Sequence, residues 1–101
     1  MENKFTFLPD IPYGEHERHR VDIYIPEKPT SQRGAILFIH GGGWHDGDKK
    51  IHNKDAEYFC NRGYICASMN YRFVSEKLSV FNELDDITSA IEELKIKCAE
   101  Y

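Results

Sequence analysis

The segment of this 101-residue chain whose residue types could do chemistry is His40-Gly41-Gly42-Gly43-Trp44-His45-Asp46-Gly47-Asp48-Lys49. Three consecutive glycines permit backbone conformations that other residues resist, and they let a bound group approach main-chain N–H donors closely. A phosphate cradle would need GxxxxGK followed by Ser or Thr. Gly42 and Gly47 have that glycine spacing, but Asp48 intrudes before Lys49 and Lys50 replaces the hydroxyl residue. Asp46 and Asp48 would also repel phosphate. A dinucleotide fingerprint fails too, because Asp46 stands where its third glycine belongs. The reading that fits is an oxyanion hole. Acyl transfer builds negative charge on a carbonyl oxygen, and each preorganised N–H donor aimed there lowers the barrier by about 2.7–4 kcal/mol. The bland alternative is a purely conformational glycine run at a strand-to-helix turn.

Other side chains offer little for the remaining chemistry. His45, Asp46, Asp48 and His52 could be drawn as metal ligands. A structural zinc site wants four fixed N or S donors, so this mixed set reads as a solvated turn and no metal is expected. His16 and His19, among Glu15, Glu17 and Arg18, read as an exposed hairpin tip. None of the five serines, Ser31, Ser68, Ser75, Ser79 and Ser89, lies in G-x-S-x-G. Ser68 with His40 or His45 makes a pair on paper, but Ser68 falls inside a predicted strand with no strained turn to expose it. Cys60, Cys66 and Cys98 form no CxxC pair. They are expected to be reduced, mostly buried thiols, with a Cys60–Cys66 bridge as the alternative.

The elements that must position the glycine loop follow from patterning. Phe5, Phe7 and the Pro9–Pro12 region suggest a Pro-bounded edge strand. Tyr13-Gly14-Glu15 reads as a turn. Val21, Ile23 and Ile25 alternate with Asp22 and Tyr24, which predicts a second strand closed by Pro26. Residues 27–34 read as a polar loop. Ala35-Ile-Leu-Phe-Ile39 is a continuous apolar run, as expected of a strand covered on both faces. A helix is predicted over Lys49 to Arg62, with Ile51, Asp55–Ala56 and Phe59 on one face and Gly63 at its C-terminal cap. Tyr64 to Ser68 reads as a buried strand, left by Asn70-Tyr71-Arg72. Leu84, Ile87, Ile91 and Leu94 predict an amphipathic last helix with Ser79 as N-cap and Ser89, Glu92, Glu93 and Lys95 in water. The order argues an α/β fold: an antiparallel start, then parallel strands with flanking helices. The glycine run then lies at the C-terminal end of a strand, where ligands bind in open α/β sheets.

These residues together resemble the N-terminal part of the α/β-hydrolase fold, in the esterase/lipase branch with an HGGGW loop. The pieces are Asp10-Ile-Pro-Tyr-Gly14, Val21-Asp-Ile-Tyr-Ile-Pro26, His40-Gly-Gly-Gly-Trp44 with Gly47-Asp48-Lys49, Asn70-Tyr71-Arg72, and Asp85–Asp86 opening the last helix. The resemblance implies a partial α/β-hydrolase fold and a single incomplete domain over residues 1–101. It implies a serine hydrolase of small carboxylic esters, or an arylformamidase-like amide hydrolase, without a cofactor. By resemblance, the N–H groups of Gly42 and Gly43 face the oxyanion, His40 and Gly41 support the loop, and Trp44 lines the acyl pocket. Nucleophile, acid and base are absent from this chain, which stops at Tyr101 before the elbow strand of the family, so the chain alone is expected to be inactive. The alternative is a non-catalytic α/β fragment that binds a partner chain or a small acid through the glycine loop.

Composition excludes several other classes. There are 13 Lys+Arg against 17 Asp+Glu, a net charge of −4, and no basic block, which argues against a nucleic-acid partner. With 41% hydrophobic and 13% aromatic residues the chain can fold, yet no run approaches the ~18 apolar residues a membrane helix needs. No secretory signal is visible in Met1 to Asp10, and the cytoplasm is the expected compartment. The uncharged run Ala35–Ile39 would become an unprotected sheet edge without the family's elbow strand, so self-association through that edge is expected.

Overall fold

The structure, a computed structural model, describes residues 5–27, 34–44, 46–75 and 77–100. Four strands, β1 (Phe5–Pro12), β2 (Arg20–Pro26), β3 (Ala35–Ile39) and β4 (Ile65–Met69), form one sheet in the order β1-β2-β4-β3. The β1–β2 and β2–β4 pairs are antiparallel, and β3–β4 is parallel. A 3₁₀ turn (Lys49–His52) and helix α1 (Asn53–Cys60) connect β3 to β4, and α2 (Val80–Glu100) follows. The polar loop expected over 27–34 lies largely outside the described residues.

Side-chain alternation along each strand decides which helix each sheet face meets. Val21, Ile23 and Ile25 of β2, with Ala67 and Met69 of β4, pack against Ala90 and Leu94 of α2. Tyr24 and Cys66, one residue out of phase, pack with Ala56 and Cys60 of α1. The period-2 pattern of β2 therefore does not mark one wet face, since Val21 through Pro26 are all buried. In β1 a register shift between Leu8 and Ile11 puts Asp10 at φ 51, and its N–H donates to Asp22 Oδ1 at 2.9 Å. This bulge keeps both Leu8 and Ile11 against the α2-side core.

Three expectations are corrected. β3 packs on both faces, Leu37 against the α2-side core and Ile36 and Phe38 against the α1-side core, but it occupies an end of the sheet and these three residues are only half-buried. Ile51 is 74% exposed, because it lies in a 3₁₀ turn whose three-residue period departs from the helical one. Leu84 and Ile91 also point outward, and α2 buries Glu83, Asp86 and Ala90 alongside the expected Leu94. The Asp86 ion pairs described below set that rotation.

The helix ends follow the sequence. Gly63 at φ 95 closes α1 with Gly63 N–H to Cys60 O and Tyr64 N–H to Phe59 O, the paired bonds of a Schellman cap. Ser79 precedes α2, and its N–H donates to Asn82 Oδ1 at 2.8 Å, the reciprocal half of a capping box.

Candidate functional site

β3 feeds the chain directly into His40 and the glycine loop. Gly42 has φ 131, Gly43 φ 64 and Trp44 φ 69. A Cβ on Gly42 would stand 1.9 Å from the Asp46 carbonyl oxygen, and one on Gly47 (φ 106) 2.4 Å from the Gly41 oxygen. Glycine is therefore required at both positions. Gly41 has open space around it and no positive φ. Trp44 holds a left-handed conformation that costs a non-glycine residue on the order of 1–3 kcal/mol. Its carbonyl accepts from Val74 N–H at 2.9 Å, and its ring lies 5.6 Å from that of Tyr71. A cavity of about 230 Å³ opens here, lined by His40, Gly41, Gly42, Gly43, Trp44 and Tyr71. The N–H groups of Gly42 and Gly43 donate no hydrogen bond to another described residue.

His40 is buried, and both ring nitrogens are engaged. A carbonyl can only accept, so Nδ1–H donates to Gly41 O at 2.8 Å. A guanidinium can only donate, so Nε2 accepts from Arg18 Nη2 at 3.3 Å. The imidazole is thus one neutral tautomer with no nitrogen left for proton transfer. Tyr71 completes the support. Its ring stacks on His40 at 4.4 Å, and its hydroxyl donates to His40 O at 2.9 Å.

The tripeptide after β4 points three side chains at three anchors. Asn70 Oδ1 accepts from Lys49 N–H at 2.8 Å and Nδ2 donates to Asp48 Oδ1 at 3.2 Å, fixing the turn that leaves the loop. The Tyr13 hydroxyl donates to Asn70 O. Tyr71 holds His40. Arg72 grips Asp86, with Nη2 donating to Oδ1 at 2.7 Å and its main-chain N–H to Oδ2 at 2.9 Å. Asp86 also accepts from His19 Nε2 at 2.9 Å. Burial works against ionising Asp86, but the Arg72 and His19 hydrogen bonds outweigh it and hold the carboxyl below its usual range. At Asp48 burial is likewise outweighed, here by Lys50 N–H and Asn70, so it too titrates low.

His19 and Arg18 are therefore not an exposed tip. His19 reaches α2, and Arg18 reaches the glycine loop. Neither was legible as a site residue, although Asn70-Tyr71-Arg72 and Asp86 stood out as motifs.

The other candidates resolve into structural roles. Ser68 is fully buried and donates to Lys49 O at 2.6 Å, and Ser75, Ser79 and Ser89 are exposed. Ser31 and His45 lie outside the described residues. Asp48 caps the 3₁₀ turn, His52 pairs with Asp55 at 3.2 Å, and no cluster of three possible metal ligands occurs among the described residues. Burial disfavours the Lys49 ammonium, but Asp10 at 3.0 Å and Asp22 at 3.1 Å hold its pKa above the ordinary value. Cys60, Cys66 and Cys98 are free thiols, and burial pushes Cys60 and Cys66 up to about 12. No helix among the described residues is long and apolar enough to cross a membrane.

The chain is similar to several known proteins. The family model BD-FAE matches residues 21–101. An Arabidopsis thaliana protein named probable isoprenylcysteine alpha-carbonyl methylesterase is 30% identical over 91 residues, 90% of this chain and 19% of that protein. The kynurenine formamidase of Drosophila melanogaster is 37% identical over 59 residues, 58% of this chain and 19% of that protein. Among solved structures, a truncated carbohydrate esterase from gut microbiota superposes over 100% of this chain and 37% of its own, with TM-score 0.81 and 24% identity. The chain spans about a fifth of the length of these two curated relatives.

Proposed function

The chain belongs to the BD-FAE family of esterase-like α/β hydrolases, and from that membership we propose that its glycine loop supplies the oxyanion hole of a carboxylic-ester hydrolase. The observation that carries this reading is the pair of N–H groups, Gly42 and Gly43, with no acceptor among the described residues, beside a cavity at the C-terminal end of β3. When a nucleophile attacks the acyl carbon, the carbonyl oxygen becomes an oxyanion. Two fixed N–H donors stabilise that charge, each by about 2.7–4 kcal/mol. Trp44 and Tyr71 wall the acyl side of the cavity, and His40 and Gly41 hold the loop. Collapse of the tetrahedral adduct expels the alcohol or amine and leaves an acyl-enzyme, whose acyl group then passes to water. The methylesterase and formamidase names of the relatives support small esters or formamides as the substrate class.

Within these 101 residues no serine lies in G-x-S-x-G, and buried Ser68 has no exposed hydroxyl. The nucleophile, acid and base are therefore assigned to residues outside this chain, and the chain alone is expected not to turn over esters. A second reading, pairing with another chain, is favoured by one observation: among the described residues β3 pairs only with β4, at an end of the sheet. Self-association through that edge follows from it. Three free thiols support a reducing compartment such as the cytoplasm.

The test joins residues 1–101 to the G-x-S-x-G portion of a family esterase and measures hydrolysis of p-nitrophenyl acetate. This chimera should turn over, Gly43→Pro should lower its kcat by roughly 10²–10³, and the 101-residue chain alone should not be labelled by a fluorophosphonate. A folded chimera indifferent to Gly43→Pro would remove the oxyanion assignment.

A further inference from the structure

The cavity is walled by the loop itself, yet the loop's two ends are tied together by one side chain from a distant turn. Arg18 Nη2 donates to Gly47 O at 3.1 Å, after the glycines, and to His40 Nε2 at 3.3 Å, before them. Arg18 Nε donates to Tyr71 O at 2.8 Å, on the residue that hydrogen-bonds His40. The guanidinium carbon sits 3.8 Å above the Phe73 ring. Two of these acceptors belong to residues that are nearly inaccessible, His40 at 3% and Tyr71 at 1% exposure.

We propose that Arg18 is a positioning residue for the oxyanion loop, an inference that rests on the oxyanion reading above. Arg18 does not line the cavity, so it acts on the reacting oxygen only through the conformation of the loop. The planar fork is what suits it: Nε and Nη2 project in fixed directions and reach three acceptors on three segments at once. A lysine ammonium on a flexible stem offers no such fork. The turn that presents Arg18 is itself preorganised. Arg18 N–H donates to His16 Nδ1 at 2.9 Å, His16 N–H donates to His19 Nδ1 at 3.0 Å, and His19 Nε2–H donates to Asp86 on α2. The β1–β2 turn is thereby fixed to the helix and delivers the guanidinium against a fixed frame. Loss of Arg18 leaves Tyr71 O and His40 Nε2 without this donor and frees Gly47 to drift from His40. A displacement near 1 Å at the donors is enough to cost roughly 10²-fold in rate.

The experiment compares Arg18→Ala, Arg18→Lys and Gly43→Pro in the same chimera. Both Arg18 variants should lose roughly 10²-fold in kcat with a far smaller change in KM. Added methylguanidinium should restore part of the Arg18→Ala rate and none of the Gly43→Pro rate. The ¹⁵N resonance of His40 Nε2 should move toward that of an acceptor without a donor, a signature that follows this contact specifically. If Arg18→Ala does not fold, Arg18→Lys and the His40 resonance carry the test. A Gly43→Pro loss with unchanged kcat in folded Arg18 variants overturns the positioning role and leaves the oxyanion reading intact. Unchanged kcat in Gly43→Pro overturns the oxyanion reading, and this proposal with it.

Discussion

The hydroxyl of Tyr71 donates to the main-chain oxygen of His40 at 2.9 Å while the two rings lie stacked, 4.4 Å between centroids. One residue thus holds both the backbone and the side chain of the position that starts the glycine loop. Tyr71→Phe keeps the ring and removes the donor from a buried carbonyl, which should cost about 1–3 kcal/mol. Tyr71→Ala also removes the packed ring, and about 3–5 kcal/mol is expected. Urea titration of the chimera reads both. Equal losses would show that the stacked ring contributes nothing, and a Tyr71→Phe as stable as the parent would show that the hydroxyl contributes nothing.

Three glycines of the loop, Gly41, Gly42 and Gly47, should not behave alike. Gly41→Ala meets open space at ordinary φ, so its effect on stability should stay within about 0.5 kcal/mol. Gly42→Ala must place a methyl group against the Asp46 carbonyl at φ 131, and Gly47→Ala against the Gly41 carbonyl at φ 106. Each should cost at least about 2 kcal/mol. Thermal unfolding of the three variants side by side checks the loop conformation, and a Gly41→Ala as damaging as Gly42→Ala would contradict it.

Asp86 should give the molecule an acid-sensitive joint. Its carboxyl titrates lower in the folded chain than in the unfolded one, so its contribution is complete above about pH 4 and is lost as pH falls through the depressed native value. Asp86→Asn should destabilise by about 3 kcal/mol at neutral pH, the low end for a broken buried pair, because the Arg72 side chain remains 22% exposed. The gap between wild type and variant should then narrow below pH 4. Denaturation midpoints at several pH values show whether it does, and a gap that stays constant into strong acid would exclude the ion pair as its source.

The open edge of β3 should show itself in the behaviour of the 101-residue chain in solution. Ala35-Ile-Leu-Phe-Ile39 carries no charge, proline or bulge, and Phe81, Leu84, Ile91 and Ile96 of α2 add exposed apolar surface. Sedimentation across a concentration series should reveal association, and Ile39→Lys, at a 38% exposed position, should weaken it. A chain that stays monomeric at every concentration would contradict this.

Local chemistry carried much of the fold into the sequence. β3 is legible to the residue because an apolar run bounded by Gly34 and His40 leaves little choice, and Gly63 marks the end of α1 because few other residues accept φ 95. What stayed hidden depends on partners far along the chain. The 3-4-3 spacing of Leu84, Ile87, Ile91 and Leu94 suggested the inner face of α2, but Asp86 turns inward to meet His19, 67 residues away, and Arg72, which rotates Leu84 and Ile91 outward. Arg18 looked like a solvated charge, because nothing in its neighbours points to Gly47, 29 residues on. The glycine loop itself was legible, but its support by Arg18 and Tyr71 was not.

The central claim is that the Gly43 N–H binds the oxyanion, and proline at that position also imposes a negative φ on a residue held at 64. Cys60 offers a ligation junction that avoids this: a synthetic segment ending at Phe59 can carry an ester in place of the Gly43 amide, removing the N–H and keeping the backbone path. In the ligated chimera kcat for p-nitrophenyl acetate should fall roughly 10²–10³-fold, with near-ultraviolet circular dichroism unchanged. An ester variant that folds and turns over at the parent rate would contradict the account.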